Sequence, residues 1–134
     1  MKPRWVLDTN VLISAALTHS GACDLILQAI ADGQVVAAWD YPLLAEYREV
    51  LARPRFGFSR PVQAEILAFF DLDGHTPAAS PVPSLPDPHD EPFLAVALAT
   101  PDRVLVTGNT KHYPPASRSG VAVLTPREAL ARLG

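Results

Sequence analysis

The chain has 134 residues, of which 49% are hydrophobic and 19% charged, and a formal net charge of -3. Length and balance suit one compact domain over residues 1–134 and argue against a protein that grips nucleic acid by bulk positive charge. No apolar run approaches membrane-spanning length, the start "MKPRWVLDTN" lacks a signal-peptide core, and a lone Cys23 forbids an internal disulfide, so the expected setting is cytoplasmic. Cys23 falls in the apolar stretch "GACDLILQAI" and reads as a small packing residue.

In chain order, "RWVL" reads as a short strand and Asn10 to Leu17 as a helix or helical turn. "GACDLILQAIADGQ" has helical spacing through Leu25, Ile26, Ala29 and Ile30, with Gly33 as its stop. "VVAAW" reads as a second buried strand. "YPLLAEYREVLARP" predicts a helix begun near Pro42, with Leu43, Leu44, Tyr47, Val50 and Leu51 on its apolar side, ending before Pro54. "RPVQAEILAFFDL" reads as another amphipathic helix, and the proline-rich "TPAASPVPSLPDPHDEP" as mostly loop. "PFLAVALA" is helical with Phe93 and Ala97 inward, and "RVLVT" and "VAVL" are strands. In "TPREALARL" Thr125 is a helix N-cap, Pro126 the first helical residue and Glu128 the partner that completes a capping box.

Strands alternating with helices predict an α/β fold with a small, mostly parallel sheet. Open sheets of this kind bind ligands at strand ends. Asp8 follows the first strand, and Asn109 follows "RVLVT".

Each acid has a plain structural reading beside a functional one. Asp8 and Asn10 are both residue types that cap helices and hold turns. Glu46 shares helical spacing with Leu43 and Val50, so it lies close to the buried stripe. It either snorkels to water or faces a cation. Glu49 stands four residues before Arg53 and reads as its solvated ion-pair partner. Asp87, Asp90 and Glu91 precede an apolar helix, where any one of them could be the cap. Lys111 and His112 follow Asn109 without a second His or a Cys at zinc-ligand spacing. "VTGNTK" lacks the glycine spacing of a phosphate loop, and Ser14 lacks a nucleophile elbow. A phosphatase using Asp8 as nucleophile calls for an acid two residues on, where this chain has Asn10.

Four stretches, "VLDTNVLISA", "LLAEYREVLARPRF", "DPHDEPFLAVALA" and "LVTGNTKHY", together resemble the PIN-domain family in order and spacing, and in particular the VapC-like toxins of bacterial toxin–antitoxin systems. The resemblance implies a small parallel sheet sandwiched by helices, with acids meeting at one end of it. It also implies Mg²⁺- or Mn²⁺-dependent cleavage of RNA phosphodiesters. Asp8 matches the first acid of the family, Glu46 the second and Asp90 the third. Asn10 matches the polar residue that supports the first acid. Thr107 and Asn109 fall in the last polar cluster, which often holds a fourth aspartate; asparagine here adds no charge. Clustered carboxylates repel one another unless a cation is present, and hard oxygen donors favour Mg²⁺ or Mn²⁺ over zinc.

RNA also needs positive contacts. Arg48, Arg53, Arg55 and Arg60 interleave with Tyr47, Phe56 and Phe58, giving guanidinium forks for phosphate and aromatic faces for unpaired bases. The same residues could equally be core aromatics and arginines coating a helix. Arg53, Arg55 and Lys111 are the candidate phosphate contacts, while His89 and His112 read as surface polar residues rather than general bases. The resemblance further implies a homodimer neutralised by a cognate antitoxin. The rival reading is a catalytically decayed PIN domain that binds RNA or a protein partner without cutting, and Asn109 is the feature that supports it.

Overall fold

A four-stranded, wholly parallel sheet organises the computed structural model, which describes residues 2–80 and 84–134. Its strands are β1 (Arg4–Leu7), β2 (Val36–Ala37), β3 (Val104–Val106) and β4 (Ala122–Leu124), in the spatial order β2-β1-β3-β4. Trp5 pairs with Val104, Val6 with Leu105 and Leu7 with Val106, so β1 and β3 end level with each other. Both are central strands, and Trp5–Leu7 and Val104–Val106 are buried throughout, as strands covered on both faces must be.

Among the described residues six α-helices surround this sheet: α1 (Thr9–Leu17), α2 (Ala22–Ala31), α3 (Tyr41–Leu51), α4 (Arg60–Leu67), α5 (Glu91–Leu98) and α6 (Pro126–Arg132). α5 packs on β1 and β3, α6 on β4 and α2, and α1 against α2 and α3. The α/β class and the sandwiched parallel sheet follow the sequence expectation. Gly33 ends the second helix segment at φ 77°, and Thr125 with Glu128 forms the anticipated capping box. On α3, Leu43, Tyr47, Val50 and Leu51 are buried, as their spacing requires.

Three elements differ from expectation. The strand in "VVAAW" has only two residues, because its neighbour on β1 pairs only through Arg4 and Trp5. Trp39 instead makes an isolated bridge with His75. The helix of "RPVQAEILAFFDL" ends at Leu67, after which Phe70 turns into the core. Helix α5 begins at Glu91, one residue before Pro92, which takes the second helical position. The described part of the proline-rich segment is loop up to a short 3₁₀ turn at Pro88–Asp90; residues 81–83 lie outside the described residues. No single helix among the described residues is long and apolar enough to cross a membrane.

The strand order sets the site. From β1 the chain crosses to β2 on one side, then returns to place β3 on the other. The carboxyl ends of β1 and β3 therefore flank a switch point, where loops part and leave a crevice. Asp8 and Thr107 are the first residues past those ends, and the Asp8 amide donates to the Val106 carbonyl at 2.9 Å.

Candidate metal centre

Asp8 occupies the N-cap position of α1, yet its side chain makes no capping hydrogen bond. Its Oδ2 instead accepts from Thr107 Oγ1 at 2.9 Å and from the Tyr113 hydroxyl at 3.1 Å. Of the two readings the sequence left open, the cap fails on geometry. Burial raises the Asp8 carboxyl above the usual 3.8, while Thr107, Tyr113 and the Thr9 and Asn10 amides act the other way.

A polar brace holds this acid. Asn10 Nδ2 donates to Thr107 Oγ1 at 3.3 Å, and the Gly108 amide donates to Asn10 Oδ1 at 3.0 Å. The Asn109 amide completes it, donating to Thr107 Oγ1 at 3.0 Å. Thr107 is fully buried, so its hydroxyl must find partners, and it finds three here. Beneath the brace, the buried Tyr47 hydroxyl donates to the Leu7 carbonyl. Its phenol is pushed well above the ordinary range by burial and by the charges of Asp8, Asp40 and Glu46. Tyr47 is thus a core residue stacked on Phe70, which corrects its place among aromatics available to bases.

The acids before α5 now divide by role. Asp87 caps the 3₁₀ turn Pro88–Asp90, its Oδ1 accepting from the His89 amide at 2.9 Å, and not α5 itself. Glu91 accepts from the Leu85 amide at 3.0 Å. Asp90 has helical backbone angles, caps nothing, and is 9% exposed. Its Oδ2 is buried without a hydrogen-bond partner among the described residues, although His112 Nδ1 lies 3.2 Å away. That distance makes an ion pair when His112 is protonated. Burial raises the Asp90 carboxyl, and the neighbouring Asp8 charge raises it further, partly offset by His112. Asp8 and Asp90 are therefore close enough to repel.

Glu46 is half-buried on α3 and lines two cavities. One, of about 330 Å³, adjoins Thr9, Asn10, Ser14, Arg55 and Phe56. The other, of about 210 Å³, adjoins Pro88, His89 and Pro92. Glu46 thus stands between the residues that follow Asp8 and those that flank Asp90. Among the described residues, no three of His, Cys, Asp and Glu are gathered tightly enough to form a complete cage for an ion. Magnesium, however, is commonly held by one or two carboxylates, with water and substrate phosphate filling the remaining positions. The buried, unpartnered oxygen of Asp90 beside the buried Asp8 fits that donor set.

Around this centre, Asn109 is exposed and its side chain makes no hydrogen bond among the described residues, and Lys111 is exposed in the turn Thr110–His112. Arg53 is engaged by Glu49 at 2.8 and 3.2 Å, the pair read from their spacing. Arg55 lies over Phe56 at 4.8 Å from the ring centroid, and Phe56 stacks on Phe58 at 5.6 Å. Two residues carry more than the sequence indicated. Tyr113 is wholly buried and bonded to Asp8, and His112 approaches Asp90.

A family model for the PIN domain matches residues 4–111. The chain belongs to the PIN-domain family. Members are generally metal-dependent nucleases, usually using Mg²⁺ or Mn²⁺. The matched span includes Asp8, Asn10, Glu46, Asp90, Thr107 and Asn109, and stops just short of His112 and Tyr113. No curated protein and no solved structure matches the chain.

Proposed function

We propose that this PIN domain is an Mg²⁺- or Mn²⁺-dependent endoribonuclease, acting in the cytoplasm as the toxin of a toxin–antitoxin pair. The observation that carries the nuclease reading is the unpartnered Asp90 oxygen buried beside Asp8 at the switch point. Two carboxylates in that state cost stability unless a cation joins them, and a site for function explains why they persist.

In this reading Asp8, Glu46 and Asp90 are the acids of the centre. A divalent ion bound there would lower the pKa of a coordinated water and offset charge on the phosphate. Thr107 and Tyr113 fix Asp8 Oδ2 at the end of β1. Asn10 holds Thr107 in place. Asn109, neutral and unengaged, orients water or a phosphate oxygen without adding charge. Arg55 and Lys111 are exposed cations suited to RNA phosphates. Arg53 joins them once it releases Glu49, a surface pair of small worth in water.

The test is cleavage of single-stranded RNA with Mn²⁺ or Mg²⁺. Cutting that stops with EDTA, and that Asp8→Asn abolishes, supports the reading. RNA bound but never cut, with every divalent ion tried, overturns it in favour of a binding module. The neutral Asn109 is what supports that second reading. The toxin role makes a separate demand: expression should arrest growth, and a small protein encoded next to it should relieve the arrest. Light scattering tests the homodimer, and the same experiment with the neighbouring protein tests the antitoxin complex.

A further inference from the structure

We propose that Arg118 is a positioning residue: through the Tyr113 carbonyl it holds the Tyr113 hydroxyl on Asp8. Its effect on cleavage rests on the nuclease reading above; the linkage of the three residues does not. Arg118 lies past the residues that the family model matches.

The linkage starts from a buried carbonyl. Tyr113 is wholly buried, and an unpaired backbone oxygen there would be costly. The two residues that follow are Pro114 and Pro115, which have no N–H to offer it. The Arg118 side chain takes their place, its Nε donating to the Tyr113 carbonyl at 2.7 Å. A guanidinium donor makes such a bond short and strong. Among the described residues it is the one hydrogen bond of the Arg118 side chain. Glu128, which senses the Arg118 charge, has its Oε1 committed to the Thr125 amide at 2.8 Å. Arg118 is therefore spent on the Tyr113 backbone rather than on an ion pair.

The same bond sets where the Tyr113 ring points. On its amino side Tyr113 is held by the turn Thr110–His112, its amide donating to the Thr110 carbonyl at 3.0 Å. On its carboxyl side the chain leaves through prolines, and Arg118 is the anchor. The hydroxyl stands at the far tip of the side chain, so a small rotation of this backbone breaks its 3.1 Å bond to Asp8 Oδ2. The chain is shaped to bring Arg118 back. The Val121 amide donates to the Arg118 carbonyl at 3.0 Å, and between them Ser119 and Gly120 turn at φ 50° and 88°. A left-handed serine is uncommon and persists where its surroundings require it. Arg118 thus acts on Asp8 at second hand, and the donor at the Nε position, not the positive charge, carries the effect.

Two substitutions separate donor from charge. Arg118→Gln places an amide nitrogen where Nε stands and removes the charge; Arg118→Met keeps the length and removes both. Proton NMR of the metal-free protein follows the Tyr113 hydroxyl resonance, assigned by its loss in Tyr113→Phe, and RNA cleavage with Mg²⁺ gives kcat and KM. We expect Arg118→Met to speed exchange of that hydroxyl proton and to lower kcat about tenfold, as for other residues that orient an active-site group, with KM little changed. Arg118→Gln should restore both. Arg118→Gln as impaired as Arg118→Met, with weaker RNA binding, makes Arg118 a phosphate contact and overturns the positioning role. Wild-type exchange and kcat in Arg118→Met overturn it too. If Arg118→Met fails to fold, hydrogen exchange in the wild type decides: the Arg118 Nε–H and the Tyr113 hydroxyl should open together, and independent opening overturns the linkage. A wild type that cuts no RNA, yet shows the expected hydroxyl pattern across the variants, keeps the linkage and overturns the nuclease reading.

Discussion

Tyr113 and Asp8 are 105 positions apart, yet the tyrosine hydroxyl donates to Asp8 Oδ2 at 3.1 Å in a fully buried contact. Burial and the charges of Asp8 and Asp90 push the phenol far above its ordinary range, so it is always a donor here. Replacing it by Phe keeps the ring and removes the hydrogen bond. Tyr113→Phe should fold, lose about 1.5–3 kcal/mol as expected for a bond to a charged acceptor, and raise the Asp8 carboxyl further. Urea unfolding and carboxyl carbon NMR report the two effects. An unchanged Asp8 titration would mean that Tyr113 only fills space.

Asp8 itself gives a pH signature in metal-free protein. Its folded pKa is raised above the unfolded value near 3.8. Where both states are ionised, the native state carries the burial cost. As pH falls through the folded pKa, the native protein takes up the proton first, so stability rises until the unfolded chain also protonates below about 3.8. Asp8→Asn removes this dependence. It should be the more stable protein at neutral pH in EDTA, and its advantage should shrink as the pH is lowered. It should also lose cleavage and the stabilisation that divalent ions give the wild type. A gap that widens on acidification would show that burial does not dominate at Asp8.

Asp87 and Asp90 offer a contrast within four residues. Asp87→Ala deletes the acceptor for the His89 amide and should lower the melting temperature while leaving metal affinity intact. Asp90→Asn should leave the melting temperature of the metal-free protein level or raised, because a buried charge repelled by Asp8 and only partly offset by His112 is removed, while metal affinity falls. Thermal unfolding with and without Mn²⁺ checks both. Metal binding retained in Asp90→Asn would remove Asp90 from the centre.

Much of this site was legible because its chemistry sits where patterns are strongest. Asp8 and Thr107 end short apolar strands, and Glu46 lies on a helix whose buried face is plain from spacing. The strand order was not legible, since nothing local in β1 says which strand lies beside it. Nor was the division between Asp87 and Asp90, which turns on the backbone angles of one 3₁₀ turn. Tyr113 escaped for another reason. It follows a short turn among prolines, with no periodicity to mark it as buried, and its partner is at the opposite end of the chain. Tyr47 misled in the reverse direction, because arginines beside it suggested RNA where its own spacing called for core.

Asn109 tests how much charge the centre lacks. It is exposed just past β3, with its amide bound to Thr107 and its side chain unengaged. Asn109→Asp adds a carboxylate beside the acidic crevice and removes no hydrogen bond. Calorimetry should show tighter Mn²⁺ binding or a second equivalent, accompanied by lower stability in EDTA from added repulsion. Unaltered affinity and stoichiometry would place this side chain outside the reach of the ion.

Arg55 tests the proposed binding of RNA. Its guanidinium is exposed over Phe56 on the rim of the cavity that Glu46 also lines, and among the described residues no acid pairs with it as Glu49 does with Arg53. Such a group on a phosphate adds affinity without sequence preference and releases counterions. Arg55→Ala, in an Asp8→Asn background to prevent cutting, should therefore weaken binding of all single-stranded RNAs alike. The slope of log affinity against log salt should become shallower by about 0.7, because one phosphate is no longer neutralised. Fluorescence anisotropy over a salt series measures both. Weaker binding with an unchanged slope would assign Arg55 to base stacking with Phe56; unchanged binding would remove this rim from the RNA path.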